Sequence, residues 1–312
     1  MTDSFLSTDT VECPANLLER AKPLTSAATA IVNAGSKVVM QSVKMATEEG
    51  LITPVLVGDG NNIIAAAKEI DWDISSFRVV EADNEEASAK AAVALARGGE
   101  VASLMKGNIH TDHLLRAVIN KQLGLRTGTR LSHIFHMTVP NNTASICITD
   151  AAINVSPTVA IKLDIARNVT KLLHALGNKE PKIAVLSATE VATPAMPSSM
   201  EAQEVVKAAA AGEVEGALLG GPFAFDNAVS PAAAKLKKIT DPVAGNADVL
   251  LVPNIETGNA LFKQMVYFMG AAAAGVVLGA KVPIVLTSRA DPAAARLAAT
   301  ALASIYADAY KG

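Results

Sequence analysis

The sequence predicts an α/β fold in which parallel sheet is covered by helices on both faces, laid down in two successive series. Three observations carry this. Strand-like apolar runs alternate with helix-like segments from about residue 28. Half the residues are hydrophobic but only 4% are aromatic, so the core must be built from Ala, Val, Leu and Ile, which suit close packing of helix on sheet. A single hairpin-like stretch between residues 132 and 148 interrupts the alternation.

In chain order, Thr29–Val32, Pro54–Val57, Phe77–Val80 and Val101–Met105 read as strands. The helix-like segments between them are Val38–Glu49, a stretch reaching about Ile70 after the stop Gly58-Asp59-Gly60, and alanine-rich Glu85–Ala96, closed by Gly98-Gly99. A helix over Thr111–Lys121 follows the turn Lys106-Gly107. Ser132–Val139 and Ala144–Ile148 flank Pro140-Asn141-Asn142 and require antiparallel pairing. The second series begins with a helix over Thr158–Leu176, started by Ser156-Pro157. Lys182–Leu186, Val249–Val252 and Val282–Leu286 read as its strands. Gly220-Gly221-Pro222 reads as a turn after an apolar run. The glycine-interrupted stretch between Lys263 and Lys281 is short for a membrane span and reads as a buried helix followed by strand or loop. These readings place a first α/β domain over 1–144 plus 288–312, the last helix packing back on it, and a second over 145–287.

A net charge of −3, from 27 basic and 30 acidic residues, excludes a basic nucleic-acid surface. Two cysteines, Cys13 and Cys147, give no disulfide framework and fit a reducing cytoplasm. The acidic N-terminal segment has no basic-then-apolar signal. A soluble, cytoplasmic protein with no membrane or nucleic-acid partner is expected.

The candidate chemistry starts at Leu286-Thr287-Ser288-Arg289-Ala290-Asp291, which follows a buried strand and delivers a hydroxyl, a guanidinium and a carboxylate at its carboxyl end. Ligands of open parallel sheets bind at that end, and arginine's fork of donors suits phosphate or carboxylate. The plainer reading is a turn in which Ser288 caps the next helix. Lys121–Arg130 (KQLGLRTGTR) sets three cations around two glycines, either a cradle for nucleotide phosphates or a solvated basic loop; Arg116 precedes it. Asn259 and Lys263, four apart, share a helical face after the strand ending at Val252, as a phosphate contact or as a helix start with a solvated lysine. Gly107–Thr111 opens a helix, where backbone amides favour anions. No Walker sequence is present. His133 and His136 lie an odd number of positions apart and face opposite sides of a strand, which argues against a shared metal; no metal site is expected.

Taken in order, LMKGNIHTDHLLRAV, GLRTGTRLSH, ITDAAINVSP, GPFAFDNAVS, DPVAGNADVLLVPNIETGN and PIVLTSRAD resemble the phosphate acetyltransferase and phosphate butyryltransferase family, with weaker similarity upstream from about residue 17. The resemblance implies two three-layer α/β/α domains with an interdomain cleft, similar to the isocitrate and isopropylmalate dehydrogenase fold. It also implies a homodimer and the reversible reaction of acyl-CoA with phosphate to give acyl phosphate and CoA. The family's serine–arginine pair maps onto Ser288 and Arg289, and its phosphate- or CoA-contacting arginines onto Arg116 and Arg130, with a gap near Arg116. The acetyl branch's general-base aspartate, seven residues beyond the serine, is Ala295 here, and the glycine after the arginine is Ala290. The butyryl-like branch is closer, and Asp291 is the candidate base.

A thiol of reference pKa near 8.5 needs only about 2 kcal/mol to ionise at neutral pH, whereas positioning supplies roughly 7–11 and an oxyanion donor roughly 3–4. Direct attack of CoA thiolate on acyl phosphate is therefore expected. Ser288 serves as oxyanion donor, Arg289 on the phosphoryl group, Asn259 and Lys263 in the pocket, and Arg126 and Arg130 on the CoA phosphates. No cofactor beyond the CoA substrate is implied. Cys147, inside an apolar strand, is a poor nucleophile. Two alternatives stand: a non-catalytic acyl-CoA-binding paralogue, and an NAD- and metal-dependent hydroxy-acid dehydrogenase of the same architecture, for which the clustered aspartates are not recognisable.

Overall fold

The structure, a computed structural model, describes residues 5–142, 144–287 and 291–311. The chain forms two compact units: a terminal unit of Val11–Thr129 with Ala274–Gly312, and a central unit of Arg130–Ala273 with Met1–Thr10.

The terminal unit opens with α1 (Ala15–Ala21), β1 (Ala27–Val32), α2 (Lys37–Glu48), β2 (Ile52–Gly58), α3 (Gly60–Lys68), β3 (Arg78–Glu81), α4 (Glu85–Arg97), β4 (Ser103–Lys106) and α5 (Thr111–Val118). Two of its helices start where polar side chains take up free amides: Asp59 accepts from the Asn62 N–H at α3, and Asn84 from the Ala87 N–H at α4.

The central unit runs through the antiparallel hairpin β5 (Ser132–Thr138) and β6 (Ser145–Thr149), then α6 (Val159–Ala175), β7 (Lys182–Leu186) and α7 (Pro197–Ala208), which ends in a π turn. There follow β8 (Leu218–Phe223), α8 (Phe225–Val229), α9 (Pro231–Leu236), β9 (Val249–Leu251) and α10 (Ile255–Met269). Its strands lie in the order β5-β6-β9-β7-β8, parallel from β6 onward. Phe135 and Phe262 stack at 3.9 Å in a core shared with Met137, Ile148, Leu186 and Leu250. Gly270, in the left-handed region at φ 62°, ends α10.

The chain then returns through β10 (Ala272–Leu278), β11 (Ile284–Val285) and α11 (Ala293–Ala309). In the terminal unit the strand order is β3-β2-β1-β4-β11-β10, parallel except for β10 against β11. β1 and β4 are almost wholly buried, which is why they read as unbroken apolar runs. α11 packs on α1, α2 and this sheet, burying Leu297, Leu302 and Ile305.

The units meet the chain at 129/130 and 273/274, rather than at 144/145 and 287/288 as the sequence suggests. The register explains the difference. β5 pairs with β6 from Ile134↔Thr149 to Thr138↔Ser145, so both hairpin strands belong to one unit. β10 pairs with β11 and β11 with β4 (Ile284↔Leu104), so the return is made one strand earlier. β8 replaces the expected turn at Gly220-Gly221-Pro222. A proline within a strand is tolerated there because β8 is an edge strand of its unit.

Candidate active site

In the terminal unit the chain leaves β1 to one side for β2 and β3, then crosses to the other side for β4. That reversal is a topological switch point, and the diverging loops open a crevice at the carboxyl ends of β1 and β4. The register brings those ends level: Val32 lies beside Lys106, and Met105 beside Val285. Two backbone bonds tie the loops together, the Gly107 N–H to the Val32 carbonyl at 3.0 Å and the Asn108 N–H to the Asn33 carbonyl at 2.9 Å. Asn33 takes φ 60°, and its side-chain amide donates to the Asn108 carbonyl at 2.5 Å. Position 107 must be glycine, because a Cβ would stand 2.4 Å from the Val32 carbonyl oxygen.

Beside this seam lies a cavity of about 240 Å³. Its walls are Ser36, Val38, Val39 and Ser42 from the start of α2, Met105–Asn108 from the end of β4 and the turn after it, Val285 and Thr287 from the end of β11 and beyond, and Arg296 from α11. Two lining residues, Lys106 and Arg296, are cationic, and none carries a carboxylate. The start of α2 adds its positive end. The cavity thus pairs apolar walls with hydroxyls and cations, a lining that suits a small anion with an apolar part. Ser288 and Arg289 lie outside the described residues. Their neighbour Thr287 forms part of the cavity wall, and Asp291 acts electrostatically on Arg296. Burial lowers the Arg296 pKa and the Asp291 charge opposes that shift. Its buried Nε–H has no hydrogen-bond partner among the described residues. Ala295 is 3% exposed, so a methyl packed in the core stands where the acetyl branch has an aspartate.

The other expected residues fall in separate places. Arg116, on α5, lines a larger hollow of about 590 Å³ between α4 and α5, with Lys90, Arg97 and Asn120. Its nearest acid is Asp112 at 3.8 Å on an exposed surface. Arg126 is exposed in the terminal unit, but its loop is pinned rather than flexible. Arg126 bridges Ala280, Thr127 donates to the Gly279 carbonyl at 2.7 Å, and Leu125 is buried. Arg130 belongs to the central unit, where its Nε donates to Asn154 Oδ1 at 3.3 Å.

That contact belongs to a network at the carboxyl ends of β6 and β9. Asp150, 1% exposed, accepts from the backbone of Ala152, Ile153 and Asn154, and from the Asn154 side chain at 2.6 Å. α10 rests on the same loop: a Cβ at Gly258 would meet the Asp150 carbonyl at 2.9 Å. Asn259, partly buried, follows on α10, while Lys263 is exposed, 5.9 Å from the Phe262 ring. The motif ITDAAINVSP signalled this loop, but its side chains could not be ranked without the contacts. Arg296 had no signal at all, since a lone arginine on an alanine-rich helix resembles any solvated face.

Burial pushes the Cys147 thiol up to about 12, with Asp248 adding to the rise, so it offers no thiolate near neutral pH. His133 and His136 are both buried on β5. Among the described residues, the group able to hold a metal is Glu85, His110 and His113, whose ligand atoms lie within 4.8 Å of one another. Glu85 opens α4 and His110 caps α5, so two positive helix ends face the group and favour the carboxylate over a cation. The His110 N–H is the main cause of the lowered Glu85 pKa.

Fold and cavity describe an α/β protein with a hydroxyl- and cation-lined cavity at a sheet switch point, and comparison with known proteins narrows the class. The family model for phosphate acetyl/butaryl transferase matches residues 84–304. A phosphate acetyltransferase of Rickettsia prowazekii (strain Madrid E) is 45% identical over 93% of this chain and 83% of its own length. A phosphate butyryltransferase of Clostridium acetobutylicum is 37% identical over 89% of this chain and 92% of its own. The crystal structure of a branched-chain phosphotransacylase from Enterococcus faecalis V583 superposes with a TM-score of 0.76 at 32% identity, covering 90% of this chain and 99% of that one. The chain belongs to the phosphate acetyl/butyryl transferase family and is an acyltransferase. A 4-hydroxythreonine-4-phosphate dehydrogenase from Burkholderia phymatum shares the fold alone, at a TM-score of 0.51 and 15% identity. Neither the dehydrogenase nor the non-catalytic alternative is favoured.

Proposed function

We propose that this protein transfers a short acyl group, acetyl or butyryl, reversibly between CoA and inorganic phosphate by direct thiolate attack. The observation that carries the reading is the cavity at the β1/β4 switch point, walled by Thr287 next to Ser288 and Arg289 and free of carboxylates in its lining. The CoA thiolate attacks the carbonyl carbon of the acyl phosphate, the carbon–oxygen bond to phosphate breaks, and phosphate leaves. Ser288 donates to the developing oxyanion and Arg289 holds the phosphoryl group. Asp291 takes the thiol proton, directly or through water. Val39, Met105 and Val285 offer an apolar wall for the acyl chain. Arg126 and Arg130 serve the CoA phosphates, and Asn259 and Lys263 serve as substrate-binding residues on α10; Arg116 is assigned to CoA from its hollow on α5.

The reaction needs no cofactor beyond CoA and no metal, and the protein works as a cytoplasmic homodimer. Among the described residues no helix is long and apolar enough to cross a membrane. The test is release of free thiol from acetyl-, propionyl- and butyryl-CoA on adding inorganic phosphate, with and without a chelator. Phosphate-dependent thiol release that survives the chelator is expected. Absence of turnover on all three would overturn the reading.

A further inference from the structure

We infer that Arg296 is a second anion-binding arginine of this site, receiving a phosphoryl oxygen of inorganic phosphate or acyl phosphate. The inference rests on the acyltransferase reading and names a residue that reading leaves unused.

Arg296 sits in the first turn of α11, and its side chain reaches the cavity wall shared with Ser36, Ser42, Met105 and Thr287. Its backbone is fully engaged: the N–H donates to the Pro292 carbonyl at 3.2 Å, and its carbonyl accepts from the Thr300 hydroxyl at 2.8 Å. The side chain is not. Its Nε–H is buried with no acceptor among the described residues. A buried donor left without an acceptor is costly, and a bound anion is one partner that would offset the cost. Arg296 also lines a cavity whose other lining residues supply hydroxyls and a second cation, and none of the described lining residues carries a carboxylate. A guanidinium fork fits two oxygens of a tetrahedral phosphoryl group, and it binds more strongly where water is partly excluded.

Asp291 is the acid whose charge acts on Arg296. A pairing of those two alone would make Arg296 a brace for the loop ahead of α11. The phosphoryl role differs from the brace in what it moves. Neighbouring Ala295 is packed in the core, so at these two positions the cavity receives its polar group from Arg296.

The experiment measures steady-state kinetics of acyl-CoA with inorganic phosphate for the full-length wild type, Arg296→Lys and Arg296→Gln, with a thermal melt of each with and without phosphate. Expected in Arg296→Gln is a KM for phosphate raised about tenfold or more, a KM for acyl-CoA within about twofold, and loss of thermal stabilisation by phosphate. Arg296→Lys, keeping the charge but not the fork, should fall between. An unchanged phosphate KM overturns the inference while leaving the acyltransferase reading intact. So does an equal rise in both KM values with a lowered melting temperature, which is the signature of a brace. A wild type with no phosphate-dependent turnover overturns the reading beneath it.

Discussion

Gly107→Ala should damage the enzyme far beyond the size of one methyl group. The added Cβ would stand 2.4 Å from the Val32 carbonyl oxygen and 2.6 Å from that of Asn33, both backbone atoms. Real Cβ contacts essentially never fall under 3.0 Å, so the loops after β1 and β4 must part by more than half an ångström. The Gly107 N–H to Val32 bond, already 3.0 Å, then lengthens past useful geometry. A broken bond at a buried seam costs about 1–3 kcal/mol, and overpacking strain adds about 1–3. A loss of about 2–6 kcal/mol follows, or roughly 4–24 °C of melting temperature at about 2–4 °C per kcal/mol. Gly128→Ala is the control, since its added methyl meets nothing within 4 Å. Thermal melts and phosphate-dependent thiol release on both variants form the assay. If Gly107→Ala melts and turns over like wild type while Gly128→Ala does the same, the stitched seam does not shape the site.

Ser288→Ala should lower kcat by about a hundredfold or more, the size of a lost oxyanion donor, with KM values little changed; equal kcat would remove the hydroxyl from the mechanism. Asp291→Asn should slow turnover most at neutral pH and recover as pH approaches the thiol's own pKa, whereas full activity at neutral pH would exclude Asp291 as base. Burial drives the His136 pKa from 6.5 down to about 4, so below pH 6.5 the unfolded chain binds a proton that the fold refuses. Stability is therefore complete above about pH 6.5 and lost as pH falls toward 4, by an amount on the order of 3 kcal/mol. His136→Leu should flatten the pH 5–6.5 limb of a denaturation series; an unchanged slope there would show that another group controls it.

Much of the architecture was legible because burial and period write themselves into local sequence. β1, β4 and β7 are apolar runs bounded by turn residues, and the caps Asp59, Asn84 and Thr158 stand where the helices begin. β8 was not legible: Gly221-Pro222 carries turn chemistry, and only its edge position reconciles it with a strand. The unit boundary shifted for a related reason, since a hairpin strand belongs with whatever it pairs with and not with the segment preceding it.

By itself the sequence determined the alternation of elements, the buried strands and the family, because each depends on residues close together in the chain or on ordered motifs. Only the tertiary structure decided which of those residues share a site. It separated Arg116 into its own hollow, tied Arg130 to Asn154, and brought Ser36, Lys106, Thr287 and Arg296 to one cavity. The physical reason is the crossing of the chain at β1 and β4: which loops diverge is fixed by strand order, a long-range choice made by the packing of whole helices and strands.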